Sequence, residues 1–368
     1  MTDTTELVRE PQSKPEQKLG LVDCDIHPAL STPGELGPFL PLRWREHVRE
    51  FGMRSPNPLM GALPYARIGH GMRRDSYPPE GGPPASSLAF MQEQILDPLN
   101  IEYGLLHALN AGPSVMNLEL GAAVCAAMND WQIDKWCSKD ARLKGGISVP
   151  QEDAEASVKE IERWTGDDRF VQLAIVPKSL EPLGRKRYWP IWEAAEAHSL
   201  PVGMHSAAYG THANTGAGWA SFYFEEHYSF AHTAQTALIS MIFEGVFERF
   251  PKLKLVLVEG GFAWLAPLMW RMDREWELRK GEVPMCKRKP SDYVRSNVWL
   301  TTQPMEEPTK VKNIAHVLKW LGPDKLMFST DYPHWDFDHP DRVFKVGLSP
   351  EEKQGILRDN AISVYGLN

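Results

Sequence analysis

Five ionisable residues stand where a metal ion or a proton transfer would need them. Asp25 and His27, in VDCDIHP, close a short apolar run, and a strand's period of two puts both side chains on one face. His205 closes PVGMHS, Glu259 closes LKLVLVE just before Gly260 and Gly261, and Asp331 follows KLMFST. A charged group at the end of an apolar strand is costly unless it is paired or coordinated. Taken singly, each has a simpler reading: a strand-end Asp as a helix cap, a strand-end His as a hydrogen-bonded structural residue. The joint pattern on four strands reads as a ligand set. Two imidazoles with two or three carboxylates are a normal set for Zn²⁺, Mn²⁺ or Fe²⁺. One or two divalent ions fit the donors.

The elements that must position these groups alternate along the chain. Eight short apolar runs are read as strands: Leu21–His27, Tyr103–Leu109, Leu143–Pro150, Phe170–Pro177, Leu200–Ser206, Leu253–Glu259, Asn297–Gln303 and Lys325–Thr330. Their near-continuous apolar character suits parallel strands covered on both faces. Helical stretches lie between them, at Asn117–Ser138, Glu152–Trp164, Tyr188–His198, Phe230–Phe250, Ala263–Lys280, Lys310–Leu321 and Pro350–Tyr365. Eight βα units in order predict an α/β protein, a (β/α)₈ TIM barrel, whose active site is built at the C-terminal ends of the strands. An open doubly wound sheet would want a Gly-rich nucleotide loop after the first strand, and none is there.

The expected organisation is a flexible N-terminal tail at residues 1–20 and one barrel domain over 21–368. Two insertions leave the predicted mouth: about 53–87, rich in Pro and Gly, after strand one, and 207–228, mixing Gly with aromatics, after strand five. Both are read as pocket walls and lids, with ordinary surface loops as the plainer alternative. Trp219, Tyr223 and Trp335 would supply an apolar wall, although such aromatics also serve subunit interfaces. His107, ending the second strand, faces the same mouth. His212, His227 and His232 lie in or beside the second insertion, and most are expected to point to solvent. Arg67, Arg73 and Arg74 are candidates for a substrate carboxylate. His334, three residues beyond Asp331, orients that carboxylate or touches substrate, or else caps a local turn.

Composition excludes several partners. Forty-eight acidic against 40 basic residues leave a net charge of −8, with no Lys/Arg run to hold a nucleic acid. No apolar stretch approaches the roughly 20 residues of a membrane span. The polar first twenty residues carry no secretory h-region, and four cysteines without framework spacing suit reduced thiols. A cytoplasmic location is expected.

From Leu21 to Gly366 the chain resembles the amidohydrolase superfamily, in the branch related to aminocarboxymuconate semialdehyde decarboxylase, the amidohydrolase 2 group. DCDIHP, PVGMHS, FERFPKLKLVLVEGG, WLTTQPMEEP and FSTDYPHWDFDHPD carry the resemblance. It implies metal ligation by Asp25, His27, His205 and Asp331, with Asp331 as the base that takes a proton from metal-activated water. Two positions depart from the family pattern: Asp25 replaces the first His of H-x-H, and Glu259 replaces the His that commonly ends strand six. Glu259 is therefore a ligand, a metal bridge or a base. Lys178 lies near where some members carry a carboxylated bridging lysine. The reaction expected is hydrolysis of a small amide, ester, lactone or C–C bond. The alternatives are non-oxidative decarboxylation of an aromatic or unsaturated acid, O₂ activation at a dinuclear non-haem iron or Fe/Mn centre, and a non-catalytic partner subunit. The resemblance also implies a homo-oligomer or a heteromer with a related subunit.

Overall fold

A computed structural model describes residues 19–52, 71–206, 213–343 and 347–368. Arg67, His212 and parts of both predicted insertions lie outside the described residues. Eight parallel strands follow one another around a single sheet: β1 (Leu21–Ile26), β2 (Ile101–Leu106), β3 (Leu143–Ser148), β4 (Phe170–Ile175), β5 (Val202–His205), β6 (Leu255–Val258), β7 (Val298–Thr301) and β8 (Leu326–Met327). The first strand meets the last through Cys24 N–H to Phe328 O at 2.9 Å and a parallel bridge between Ile26 and Tyr332, closing the barrel.

Around the sheet run α1 (Leu42–Phe51), α2 (Leu118–Gln132), α3 (Ala154–Trp164), α4 (Trp189–Ala197), α5 (Tyr223–Phe243), α6 (Leu265–Arg279), α7 (Pro290–Asn297), α8 (Lys312–Leu321) and α9 (Asn360–Tyr365). Their starts follow side-chain chemistry. Asn117 and Asp153 each accept the N–H three residues on, at 3.0 Å, and so open α2 and α3. Glu225 accepts the N–H of Phe222 and starts α5 seven residues before the expected Phe230. Tyr223, Phe224 and Tyr228 therefore sit on a helix rather than in the Gly/aromatic loop. Among the described helices, none is long and apolar enough to cross a membrane.

The main buried cluster joins the strands to these helices. A second, smaller one includes Val22 and Cys24 of β1, Leu105 of β2, Val171 of β4, Val256 and Val258 of β6 and Met327 of β8. Residues from opposite strands meet only across the axis, so the barrel is a packed core and not a pore. Val364 and Tyr365 of α9 pack against it. Along β1 the register slips between Asp23 and Ile26, where Cys24 and Asp25 of β1 oppose the single Leu105 of β2. Such a bulge re-aims side chains, and it falls on Asp25.

Candidate metal centre

The strands end earlier than their apolar runs suggest because the last residues of those runs leave the ladder to carry the site. Glu259 and Asp331 follow β6 and β8 with φ of 52° and 60°. This left-handed conformation is uncommon outside Gly and clusters at functional sites. The N–H of Asp331 bonds to Asp25 O at 3.1 Å, and that of Thr330 to Asp23 Oδ1 at 2.9 Å. Strands one and eight are thereby locked together where their acids emerge.

The acids and imidazoles converge. His27 Nε2 lies 3.2 Å from Asp25 Oδ1 and 2.9 Å from Asp331 Oδ1. His205 Nε2 lies 3.1 Å from Glu259 Oε2, 3.3 Å from His27 Nε2 and 3.6 Å from Asp25 Oδ1. Donor atoms of Asp25, His27, His205 and Glu259 all fall within 4.8 Å of one another, and those of His27, Asp331 and His334 form an adjoining group. His27 belongs to both.

These residues fit a divalent ion on two observations. Both carboxyl oxygens of Asp25, and Oε2 of Glu259, are buried without a hydrogen-bond partner, a costly arrangement unless something else supplies charge. The protonation states point the same way. Burial opposes charge on Asp25 and Asp331, yet neighbouring imidazoles hold both below the usual carboxylate range: His27 and His205 act on Asp25, His334 and His27 on Asp331. Burial pulls His205 down, but Asp25 and Glu259 hold it well above the usual imidazole range. Burial also pulls on His334, and Asp331 outweighs it, pushing the ring to about 9. Glu259 is raised by burial and by the charge of Asp331. The cluster draws protons because it lacks positive charge, and a metal cation would supply it.

A supporting layer orients the ligands. His27 donates Nδ1–H to the carbonyl of His107 at 2.9 Å, which leaves Nε2 for the ion. The His107 ring meets Gln172 Nε2 at 2.9 Å, and burial lowers its pKa to about 3, so it is neutral. Asp23 accepts from Asp25 N, Thr330 N and Thr330 Oγ1. Gln303 donates to Asp331 Oδ2 at 3.0 Å and Asp336 Oδ2 at 2.9 Å, and Asp336 also pairs with His227 at 3.1 Å. Asp23, Gln172, Gln303 and Asp336 escaped the sequence reading. The signal available for three of them was a polar side chain inside or just past an apolar strand run.

His334 combines its two sequence readings: its N–H caps the turn onto Asp331 O at 2.8 Å, and its Nδ1 meets Asp331 Oδ1 at 2.5 Å. His227 is buried, against the expectation that it points to solvent, because Asp336 holds it and Tyr223 stacks on it at 5.6 Å. Trp335 donates to the Tyr223 hydroxyl at 3.1 Å. Trp219 instead lines a separate cleft with Asn214 and Glu225. Arg73 pairs with Asp75 and lies over Phe337. Arg74 is exposed. Lys178 falls outside the ligand cluster, in a cleft against α5.

The family model described as Amidohydrolase, of the amidohydrolase 2 group, matches residues 22–367. The chain belongs to this family. Among curated relatives, the gamma-resorcylate decarboxylase of Polaromonas sp. strain JS666 is 27% identical over 259 residues, covering 65% of this chain and 75% of that enzyme. Two solved structures share the fold. A dihydroxybenzoic acid decarboxylase from the same Polaromonas strain, with bound manganese and 2-nitroresorcinol, gives a TM-score of 0.67 at 20% identity over 95% of this chain and 98% of that one. The 5-carboxyvanillate decarboxylase of Novosphingobium aromaticivorans, with manganese and 4-hydroxy-3-methoxy-5-nitrobenzoic acid, gives 0.70 at 18% identity over 98% and 100%. The amidohydrolase 2 chain described here is thus a TIM-barrel enzyme of a metal-dependent superfamily, with a ligand cluster suited to one or two divalent ions.

Proposed function

We propose that this chain is a divalent-metal-dependent, non-oxidative decarboxylase of an aromatic acid bearing a hydroxyl beside its carboxyl group. The observation that carries the reading is the buried cluster of Asp25, His27, His205 and Glu259 with the Asp331–His334 pair against it. It occurs in a chain whose curated relatives are decarboxylases. Those relatives favour the carboxy-lyase alternative over the hydrolysis expected first.

A bound divalent ion would supply the positive charge that holds the substrate's carboxylate and its neighbouring oxygen. Asp25, His27, His205 and Glu259 are the residues to hold that ion, and the His107 carbonyl keeps His27 in the ligating tautomer. Loss of CO₂ from an aromatic ring consumes one proton at the carbon that bore the carboxyl. His334, protonated at neutral pH, shares its Nδ1 proton with Asp331 Oδ1. Asp331 passes that proton to the ring carbon, the C–C bonding pair returns to the ring as CO₂ leaves, and His334 is recharged from solvent. Gln303 holds the far oxygen of Asp331 through this exchange.

The test is turnover of 2,6-dihydroxybenzoate and 5-carboxyvanillate by Mn²⁺-loaded protein in D₂O. Release of CO₂ with one deuterium at the vacated carbon is expected, abolished by chelator and restored by Mn²⁺. Asp331→Asn should lower the rate by about 10²–10⁴-fold, the usual worth of a positioned acid. Hydrolysis of an ester, amide or lactone, with no CO₂ released from any ortho-hydroxy aromatic acid, would overturn the proposal.

A further inference from the structure

The chain leaves β4 through Val176, Pro177 and Lys178, and Lys178 is only 5% exposed. Among the described residues its ammonium has no hydrogen bond and no ion pair, and the charge of Glu226 is the one electrostatic neighbour that favours it. Burial accordingly lowers its pKa. A lysine buried to this extent is ordinarily paired. It lines a cleft of about 720 Å³ between the β4 exit, the turn at Ala213–Gly218 and the His232–Ala237 face of α5. That volume suits a small organic ligand.

The lining defines the ligand's chemistry. Leu180, Pro182, Leu183 and Ala237 make an apolar wall, and Lys178 is the one Lys or Arg side chain among the lining residues. A phosphate or sulfate wants several donors or a guanidinium fork around its oxygens. Glu181, the carboxylate in the lining, is already paired with Arg187 at 2.8 Å, so a single ammonium beside this apolar wall suits a monoanion with an apolar body. The amide of Asn214, also in the lining, is committed elsewhere: its Nδ2 donates to Glu226 O at 3.0 Å and Ser229 Oγ at 2.6 Å.

The cleft stands apart from the metal centre. A smaller cavity beside the metal cluster is lined by His107, His205, Ile175 and Val176, and among the described residues it shares no lining residue with the Lys178 cleft. Val176, which lines the smaller cavity and precedes Pro177 of the cleft, is held at both backbone groups by Gln151, at 2.9 and 3.0 Å. A carboxylate on Lys178 would sit among described residues other than those that line the cavity beside the metal cluster.

We propose that the Lys178 cleft is a second ligand site, which binds an organic monocarboxylate with an apolar body and does not take part in the reaction at the metal centre. The carboxylate supplies the counter-charge that Lys178 lacks, and the apolar wall receives the rest of the molecule.

The experiment uses full-length, Mn²⁺-loaded protein with 3-phenylpropionate as probe and 3-phenylpropionamide as its uncharged control. Lysine reactivity is read by reductive methylation and peptide mass spectrometry. Saturating acid should slow methylation of Lys178 at least fivefold and leave exposed lysines such as Lys159 unchanged, while the amide protects less than twofold. Titration of Lys178→Met by calorimetry should show the Kd for that binding event raised at least tenfold. Three results overturn the proposal: no protection of Lys178 although the acid binds elsewhere, equal protection by acid and amide, or unaltered affinity in the folded variant. If Lys178→Met fails to fold, the protection experiment on the unaltered protein still decides.

Discussion

Gly203, in the middle of β5 and two residues before His205, is the position where one added carbon tests how the site is supported. A Cβ there would stand 2.3 Å from Gln172 Oε1, 2.9 Å from Gln172 Cδ and 3.2 Å from His107 Cε1. Gln172 is fully buried and its amide meets the His107 ring at 2.9 Å, so it cannot swing into solvent. Gly203→Ala must push it off His107, leaving two buried polar groups unpaired at about 1–3 kcal/mol each. The destabilisation expected is therefore about 2–6 kcal/mol. With an unfolding entropy of roughly 2.1 cal/mol/K per residue, a chain of 368 residues loses about 3–8 °C in Tm. The assay is a double-mutant cycle by calorimetric unfolding. In a Gln172→Ala background the new methyl keeps only the 3.2 Å approach to His107 Cε1, and the Gly203→Ala cost should fall below about 1 kcal/mol, a coupling typical of touching residues. Mn²⁺ affinity should change by less than about tenfold, the low end for a supporting group, because His27 is tethered to the His107 carbonyl and not to its ring. Equal costs in the two backgrounds would refute this reasoning.

Three further outcomes are expected. Asp23→Ala removes three hydrogen bonds at Asp25 and Thr330, which should cost about 3 kcal/mol by denaturant titration and weaken Mn²⁺ binding about 10–100-fold. Asp23→Asn keeps an acceptor for both N–H groups and should stay within about 1 kcal/mol of the parent. Stripping the metal should lower Tm by roughly 3–4 °C relative to protein held at 100 times its metal Kd, because that saturation is worth about 2.7 kcal/mol; an unchanged Tm would argue against a resident ion. The Arg142 hydrogen bond holds Asp140 down at about 2. The stability it adds is present above pH 4 and lost as pH falls through 2, so Asp140→Asn should lower Tm at pH 7 and match the parent near pH 2.

The barrel was legible because parallel strands covered on both faces must be apolar throughout, and LKLVLV and FVQLAIV announce themselves that way. The site acids were legible as charges that interrupt such runs at one end. Their supports were not. Gln172 and Gln303 read as ordinary strand residues, and nothing in the sequence says that the inside of β4 must hold His107 or that β7 must reach Asp336. Asp23 sits mid-run, where a carboxyl looks like an error until Thr330 is known to lie opposite. Strand eight was expected over six residues and pairs over two, because Phe328 N–H turns to Ile356 and Thr330 N–H to Asp23. α1 and α7 were missed: α1 lies among polar residues before the first insertion, and α7 is a single short run opened by Pro290. Hydrolysis was expected first because the residues themselves suit either metal-assisted reaction. Only kinship separates them.

The two left-handed corners that hold Glu259 and Asp331 constrain how this rim can change over evolution or in the laboratory. Such a corner rejects valine, isoleucine or threonine on steric grounds and tolerates aspartate, asparagine and histidine. The residues it admits most readily are thus largely those that ligate metals or move protons. A carboxylate can be exchanged for an imidazole after β6 without rebuilding the backbone beneath it. The scaffold's chemistry can accordingly be retuned one side chain at a time.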